Sequence, residues 1–151
     1  MAVRIAIGSD HGGFDLKEHV KRLLDELGVR YEDFGVFTPE PADYPDVAAP
    51  AARGVADGSF ELGILICGTG IGMSIAANKI PGVRAALVWD ETSARISRAH
   101  NNANIMTLGG RTTPVDRARD IVRSFLQTRF DGGGRHSRRV QKIAALDCKD
   151  S

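Results

Sequence analysis

The stretch "ELGILICGTGIGMSIAANKI", residues 61–80, decides the fold. Residues 62–66 are almost uninterruptedly apolar, as expected of a strand covered on both faces. The run ends in Cys67. A turn follows in which Gly68, Gly70 and Gly72 alternate with Thr69 and Ile71. "GMSIAANKI" (72–80) then reads as a helix closed by Pro81. A buried strand, a glycine turn and a helix are the opening of a β-α unit in a parallel sheet.

The same alternation extends in both directions. Upstream, "VRIAIGSD" (3–10) is a strand feeding the helix "FDLKEHVKRLLDELG" (14–28). Phe14, Val20, Leu23, Leu24 and Leu27 fall there at helical spacing, and Gly28 is a natural stop. "RYEDFGV" (30–36) is a second strand and "TPEPADYPD" (38–46) a proline-rich loop. "VAAPAARGVADG" (47–58) is helical, with Pro50 expected to disturb its first turn. Downstream come the strand "VRAALVW" (83–89), the acid-capped helix "DETSARISRAHN" (90–101) and the strand "NIMTLGG" (104–110). "TPVDRARDIVRSFLQTRF" (113–130) is an amphipathic helix with Thr113 as cap and Pro114 at its first position. "DGGGRH" (131–136) is a joint, and "SRRVQKIAAL" (137–146) a last helix placed to reach a partner subunit. Five strand–helix units predict an α/β fold. It would be a three-layer α/β/α sandwich around a five-stranded parallel Rossmann-like sheet, with residues 1–151 as one domain.

Composition narrows the function. At 151 residues the chain can bury one substantial core. Lysine and arginine total 20 against 19 acidic residues, a formal charge of +1, so nothing draws the whole molecule to nucleic acid or an anionic membrane. No apolar run approaches the roughly 20 residues of a membrane span, and the start has no secretory pattern. The two cysteines, Cys67 and Cys148, are too few to suggest a disulfide framework, and the expected setting is reducing and cytoplasmic.

Open parallel sheets bind ligands beyond the carboxyl ends of their strands. "GSDHGG" puts Asp10 and His11 at the first such end, where Asp10 reads equally well as a helix cap. "CGTGIG" is no Walker A loop, dinucleotide fingerprint or nucleophile elbow, because the defining residues are absent. Taken alone, Cys67 reads most simply as a buried structural thiol. Its place before a helix gives a second reading, a thiol that loses its proton easily. A thiolate beside converging amides could abstract a proton next to a carbonyl and hold the resulting enediolate oxygen. His100 and Asn101 end a helix, where a lone histidine is more often a cap or surface residue than a proton shuttle. Arg111 follows a strand. Arg135 and Arg139 share a helical face if the last helix begins by residue 135, and two guanidiniums on one face suit a phosphate. The alternative is a solvated basic helix. His11, His19, His100 and His136 are scattered without metal-ligand spacing, so no metal is predicted.

Together, "GSDHGGFDLK", "DYPD", "CGTGIGMSIAANK", "SARISRAHNNANI", "LGGR" and "GGGRHSRRV" resemble the type B ribose-5-phosphate isomerases. That family also includes galactose-6-phosphate isomerase subunits. The resemblance covers roughly residues 3–146, with the motifs in order. It implies an aldose–ketose isomerase acting on ribose 5-phosphate and ribulose 5-phosphate through an enediolate, with no cofactor. It implies that Cys67 is the base, that backbone groups of Gly68, Thr69, Gly70, Ile71 and Gly72 hold the enediolate, and that His100 assists ring opening. Asp10 and Asn101 would bind the sugar, and His11, Arg111, Arg135 and Arg139 the phosphate. Some members use a glutamate near the next helix instead of the thiol. This chain has no acidic residue between Glu61 and Asp90, which favours the thiol. The resemblance further implies a homodimer, or a pair of dimers, with active sites shared between subunits. Asp43 and Tyr44 border the expected substrate mouth without an assigned role. A hexose 6-phosphate of the allose or galactose type is the alternative substrate, since the difference is one hydroxymethylene of pocket length. A non-catalytic phosphosugar-binding module and a Cys-His hydrolase are the competing classes.

Overall fold

The computed structural model describes residues 3–147. Strands β1 (Arg4–Ser9), β2 (Arg30–Asp33), β3 (Leu62–Cys67), β4 (Ala85–Leu87) and β5 (Ile105–Gly109) form one sheet in the order β2-β1-β3-β5-β4. Every pairing is parallel. Helices α1 (Phe14–Glu26), α2 (Tyr44–Ala56), α3 (Ile71–Ala77), α4 (Glu91–Ala99), α5 (Val115–Gln127) and α6 (Gly134–Ala144) complete the chain, with a 3-10 turn at His11–Gly13. The predicted α/β sandwich is present. From β1 the chain moves outward to β2, and from β3 it moves the other way, so the switch point falls between β1 and β3.

Two cores hold the layers together. On one face Ile5, Ile7, Ile64, Ile66, Met106 and Leu108 pack against α1, α4 and α5. On the other, Ala6, Leu65, Cys67 and Ile105 pack against α2 and α3. Covering both faces explains why every residue of β3 is buried. Helix α6 belongs to neither core and buries no residue of its own. It runs beside the edge strand, where Ile143 faces Asn78, Val83 and Ala85 across a groove, and Leu146 beyond its end is 83% exposed.

Several boundaries differ from the sequence expectation for local reasons. Helix α2 starts at Tyr44, inside the predicted loop, because Pro45 suits a first turn and Pro50 is accommodated on the exposed side. Pro114 is the cap residue of α5 rather than its first helical residue, and Thr113 lies outside. Leu27, expected in the core, sits past the end of α1 and is exposed, while Lys17 takes a core position on that helix. Asp90 caps α4 as expected, in a reciprocal capping box with Ser93. Among the described residues no helix is long and apolar enough to cross a membrane. Cys148 lies outside the described residues, and Cys67 carries a free thiol.

Candidate active site

At the carboxyl ends of β1, β3 and β5, three glycine turns interlock. A side chain on Gly110 would run into the Gly12 carbonyl, and one on Gly12 would come within 3.0 Å of the Gly68 amide. Gly70 adopts φ +80°, and a Cβ there would meet the Leu108 carbonyl carbon at 2.9 Å. The backbone can therefore come this close only without side chains. The chain crosses back through Gly110 N–H to the Cys67 carbonyl (2.7 Å) and Arg111 N–H to the Gly68 carbonyl (3.0 Å).

Cys67 is buried at the end of β3, and the Gly70 amide donates to its sulfur at 3.2 Å. The Gly68 and Thr69 amides have no acceptor among the described residues. Ile71 N–H donates to Thr69 Oγ1 at 3.3 Å. The Arg111 guanidinium lies over Gly68, and the Tyr44 ring lies over Gly72, where a Cβ would be 2.5 Å from it. Asp10 is buried, and its Oδ1 accepts from Gly13 N–H at 3.2 Å. The cap reading of Asp10 thus holds, with its second oxygen uncommitted among the described residues. His11 Nδ1 accepts from the Ala42 amide at 3.1 Å, which ties the β2–α2 loop to this end of the sheet.

The other candidates lie elsewhere. Carboxyl-end placement was expected for all of them, and for His100, Asn101, Arg135 and Arg139 the fold corrects it. Helices α4 and α5 run back against the strands, so their last residues return to the amino end. There the Asn104 carbonyl accepts from Gly63 N–H, while Cys67 pairs with Gly109 four residues along. Four strand residues span about 13 Å. His100 caps the end of α4, and Asp131 N–H donates to the Ala99 carbonyl, which brings the start of α6 alongside. Arg135 and Arg139 are both exposed on the first turns of α6, which begins at Gly134, so they share a face as anticipated. Asn101 is exposed beside the edge strand.

His136 is the residue that sequence reasoning missed. Its ring stacks on His100 with centroids 4.1 Å apart and planes 11° from parallel. Loss of hydration, then the facing His100 and the adjacent Arg135, hold His136 below the ordinary imidazole value. With Asp131 the two rings bring three potential metal ligands within 4.8 Å of one another. Imidazole lone pairs lie in the ring plane, however, and two nearly parallel planes about 4 Å apart do not converge on one ion at about 2.1 Å. The arrangement is a stacked pair with a carboxylate beside it. Nothing in the sequence could have signalled this contact between residues 36 positions apart.

The candidates thus fall in two groups, one at each end of the sheet. The group at the switch point has the Cys67 thiol beside the Gly68 and Thr69 amides. Three comparisons define the class of enzyme. The family described as Ribose/Galactose Isomerase matches residues 5–143. Ribose-5-phosphate isomerase B of Escherichia coli is 44% identical over 95% of this chain and 96% of its own. D-erythrulose-4-phosphate isomerase of Pectobacterium atrosepticum is 42% identical over 92% and 91%. The type B ribose 5-phosphate isomerase of Trypanosoma cruzi superimposes with a TM-score of 0.93 at 50% identity, covering 97% of both chains. The chain belongs to the Ribose/Galactose Isomerase family and is an enzyme of its type B ribose-5-phosphate isomerase branch, a sugar-phosphate isomerase.

Proposed function

We propose that this isomerase interconverts ribose 5-phosphate and ribulose 5-phosphate through an enediolate, with the Cys67 thiolate as base. The observation that carries the reading is the buried thiol with the Gly70 amide on its sulfur and the uncommitted amides of Gly68 and Thr69 beside it. The thiolate takes the proton from C2 of the open-chain aldose. The electron pair moves to make the C1–C2 double bond, and charge collects on the C1 oxygen, where those amides donate. The C2 hydroxyl proton passes to the C1 oxygen, and return of the first proton to C1 gives the ketose. The step moves only protons within the substrate and calls for no cofactor.

His100 opens the sugar ring, Asn101 and Asp10 bind hydroxyls, and Arg111, Arg135, Arg139 and His11 receive the phosphate. Since His100 and the α6 arginines sit at the end of the sheet opposite Cys67, the working site joins the carboxyl end of one chain to the amino end of another. Exposed Ile71 and Ile75 on α3, Trp89 after β4 and the unburied α6 give such a homodimer apolar surface to cover. Pairs of dimers could extend it. A reducing, cytoplasmic setting would keep the thiol free. The Pectobacterium relative, named for a four-carbon sugar phosphate, makes chain length the specificity to test. In deuterated water, ribose 5-phosphate should exchange its C2 proton and convert to ketose, faster than tetrose or hexose phosphates, as read by NMR. Faster turnover of a shorter or longer sugar would replace the substrate, and binding without exchange would make the protein a phosphosugar-binding module.

A further inference from the structure

We propose that the β2–α2 loop presents His11 as a neutral imidazole with its proton on Nε2, and that the buried Lys17 is the positioning residue that clamps this loop. The inference deepens the proposed function, in which His11 meets the phosphate.

A backbone amide can only donate, so the nitrogen facing Ala42 N–H must hold a lone pair. The proton of the neutral ring is then on Nε2, at the far side, where no described residue bonds it. That tautomer gives the ring a donor for a phosphate or hydroxyl oxygen. The opposite tautomer would set two N–H groups against each other and point a bare lone pair at an anion.

Ala42 keeps its place only if the loop does. The loop's base is fastened to α1 through Lys17, whose side chain is 0% exposed. Its ammonium donates to Asp33 Oδ1 at 2.9 Å and to the Val36 carbonyl. Asp33 also accepts from Gly35 N–H at 2.8 Å and from Lys21 at 2.9 Å. Ser9 N–H donates to the Gly35 carbonyl and Val36 N–H to the Ser9 carbonyl, both at 2.7 Å. The clamp therefore holds the loop to the strand end from which Asp10 and His11 emerge. The Phe37 ring, next in the loop, lies 5.3 Å from the same ammonium. A lysine buried beside Leu16 and Val20 is unfavourable unless its charge is matched and hydrogen-bonded. Here its bonds go to this loop.

The test is 15N NMR of histidine-labelled full-length protein without substrate, above the titration range of imidazole, with His11→Gln assigning the signals. The expected spectrum shows an unprotonated Nδ1 and a protonated Nε2 for His11. Ala42→Pro deletes the donor and should move both nitrogens toward averaged tautomer shifts, whereas Ala42→Gly keeps the amide and the wild-type pattern. Lys17→Met should average the tautomers as well, and raise KM about tenfold with a smaller change in kcat. If that variant does not fold, Asp33→Asn tests the same clamp. A wild-type proton on Nδ1 overturns the proposal. So do folded Ala42→Pro and clamp variants whose His11 spectra match wild type, since a merely structural lysine would lower Tm and leave the tautomer alone. The spectra need no turnover, so absence of isomerase activity would count against the proposed function and not against this tautomer.

Discussion

The two ends of the sheet are built by different means. At the carboxyl end, Cys67 and the turns around it are buried and fixed by backbone bonds between three strand ends. At the amino end, His100, His136 and the α6 arginines ride on helix termini, half-buried or exposed, and α6 touches no core. The first end can prearrange a base and an oxyanion hole, because backbone donors placed in advance need not reorganise during the reaction. In the proposed function the second closes over a sugar phosphate held by another chain. On that proposal, rigidity falls where charge would develop, and adaptable side chains where the substrate would enter and leave.

The largest expected effect would break the comparison at its rigid end. Cys67→Ala should lower proton exchange by about 10²–10⁴-fold while leaving KM within a few-fold, because a general base acts on the transition state more than on binding. Normal turnover would return Cys67 to a purely structural role. The division between the ends is sharpened by mixing. Cys67→Ala and His100→Gln subunits, each inactive, should recover about a quarter of wild-type activity after joint refolding, since half of randomly formed dimers are hybrids with one intact site of two. No recovery would mean that the halves do not meet across a dimer. Gly70→Ala attacks the turn itself. Its positive φ and the Leu108 carbonyl leave no room for a methyl group, so about 1–3 kcal/mol of stability should be lost, read from denaturant unfolding.

The smallest effect concerns the loop clamp. Burial alone would raise the Asp33 carboxyl, but bonds from Lys17, Lys21 and the Gly35 amide outweigh it and hold it below the usual carboxylate range. Because the folded value is depressed, the ionised group contributes stability that is full above about pH 3.9, the unfolded value, and is lost as pH falls through the folded one. Asp33→Asn should remove that part of the acid destabilisation and cost about 1–2 kcal/mol near neutrality, measured as Tm against pH. An unchanged acid limb would detach Asp33 from the clamp's energetics.

Much of this was legible in the chain itself. The apolar run of 62–66 ending in Cys67 and three glycines marks a buried parallel strand and its turn wherever it occurs, because covering both faces and bringing backbones close are local demands on residue type. The same holds for the alternation of strands and helices, for the Asp90 cap and for Arg135 and Arg139 on one face. Helix α2 starts early, at Tyr44, because Pro45 serves in its first turn, and α5 starts late, at Val115, because Pro114 stands at its cap in an extended conformation.

What only the tertiary structure decided is which of these residues meet. His100 lies far from Cys67 because α4, joining two parallel strands, must run back to their amino end, and it is the bond from Asp131 N–H to the Ala99 carbonyl, which no local pattern encodes, that brings α6 and Arg135 beside it. His136 finds His100, and the Ala42 amide finds His11, only after the intervening elements have packed. Lys17 reads in sequence as one polar residue of an amphipathic helix. Packing alone turns it inward, because Asp33 and the Val36 carbonyl wait there to receive its charge.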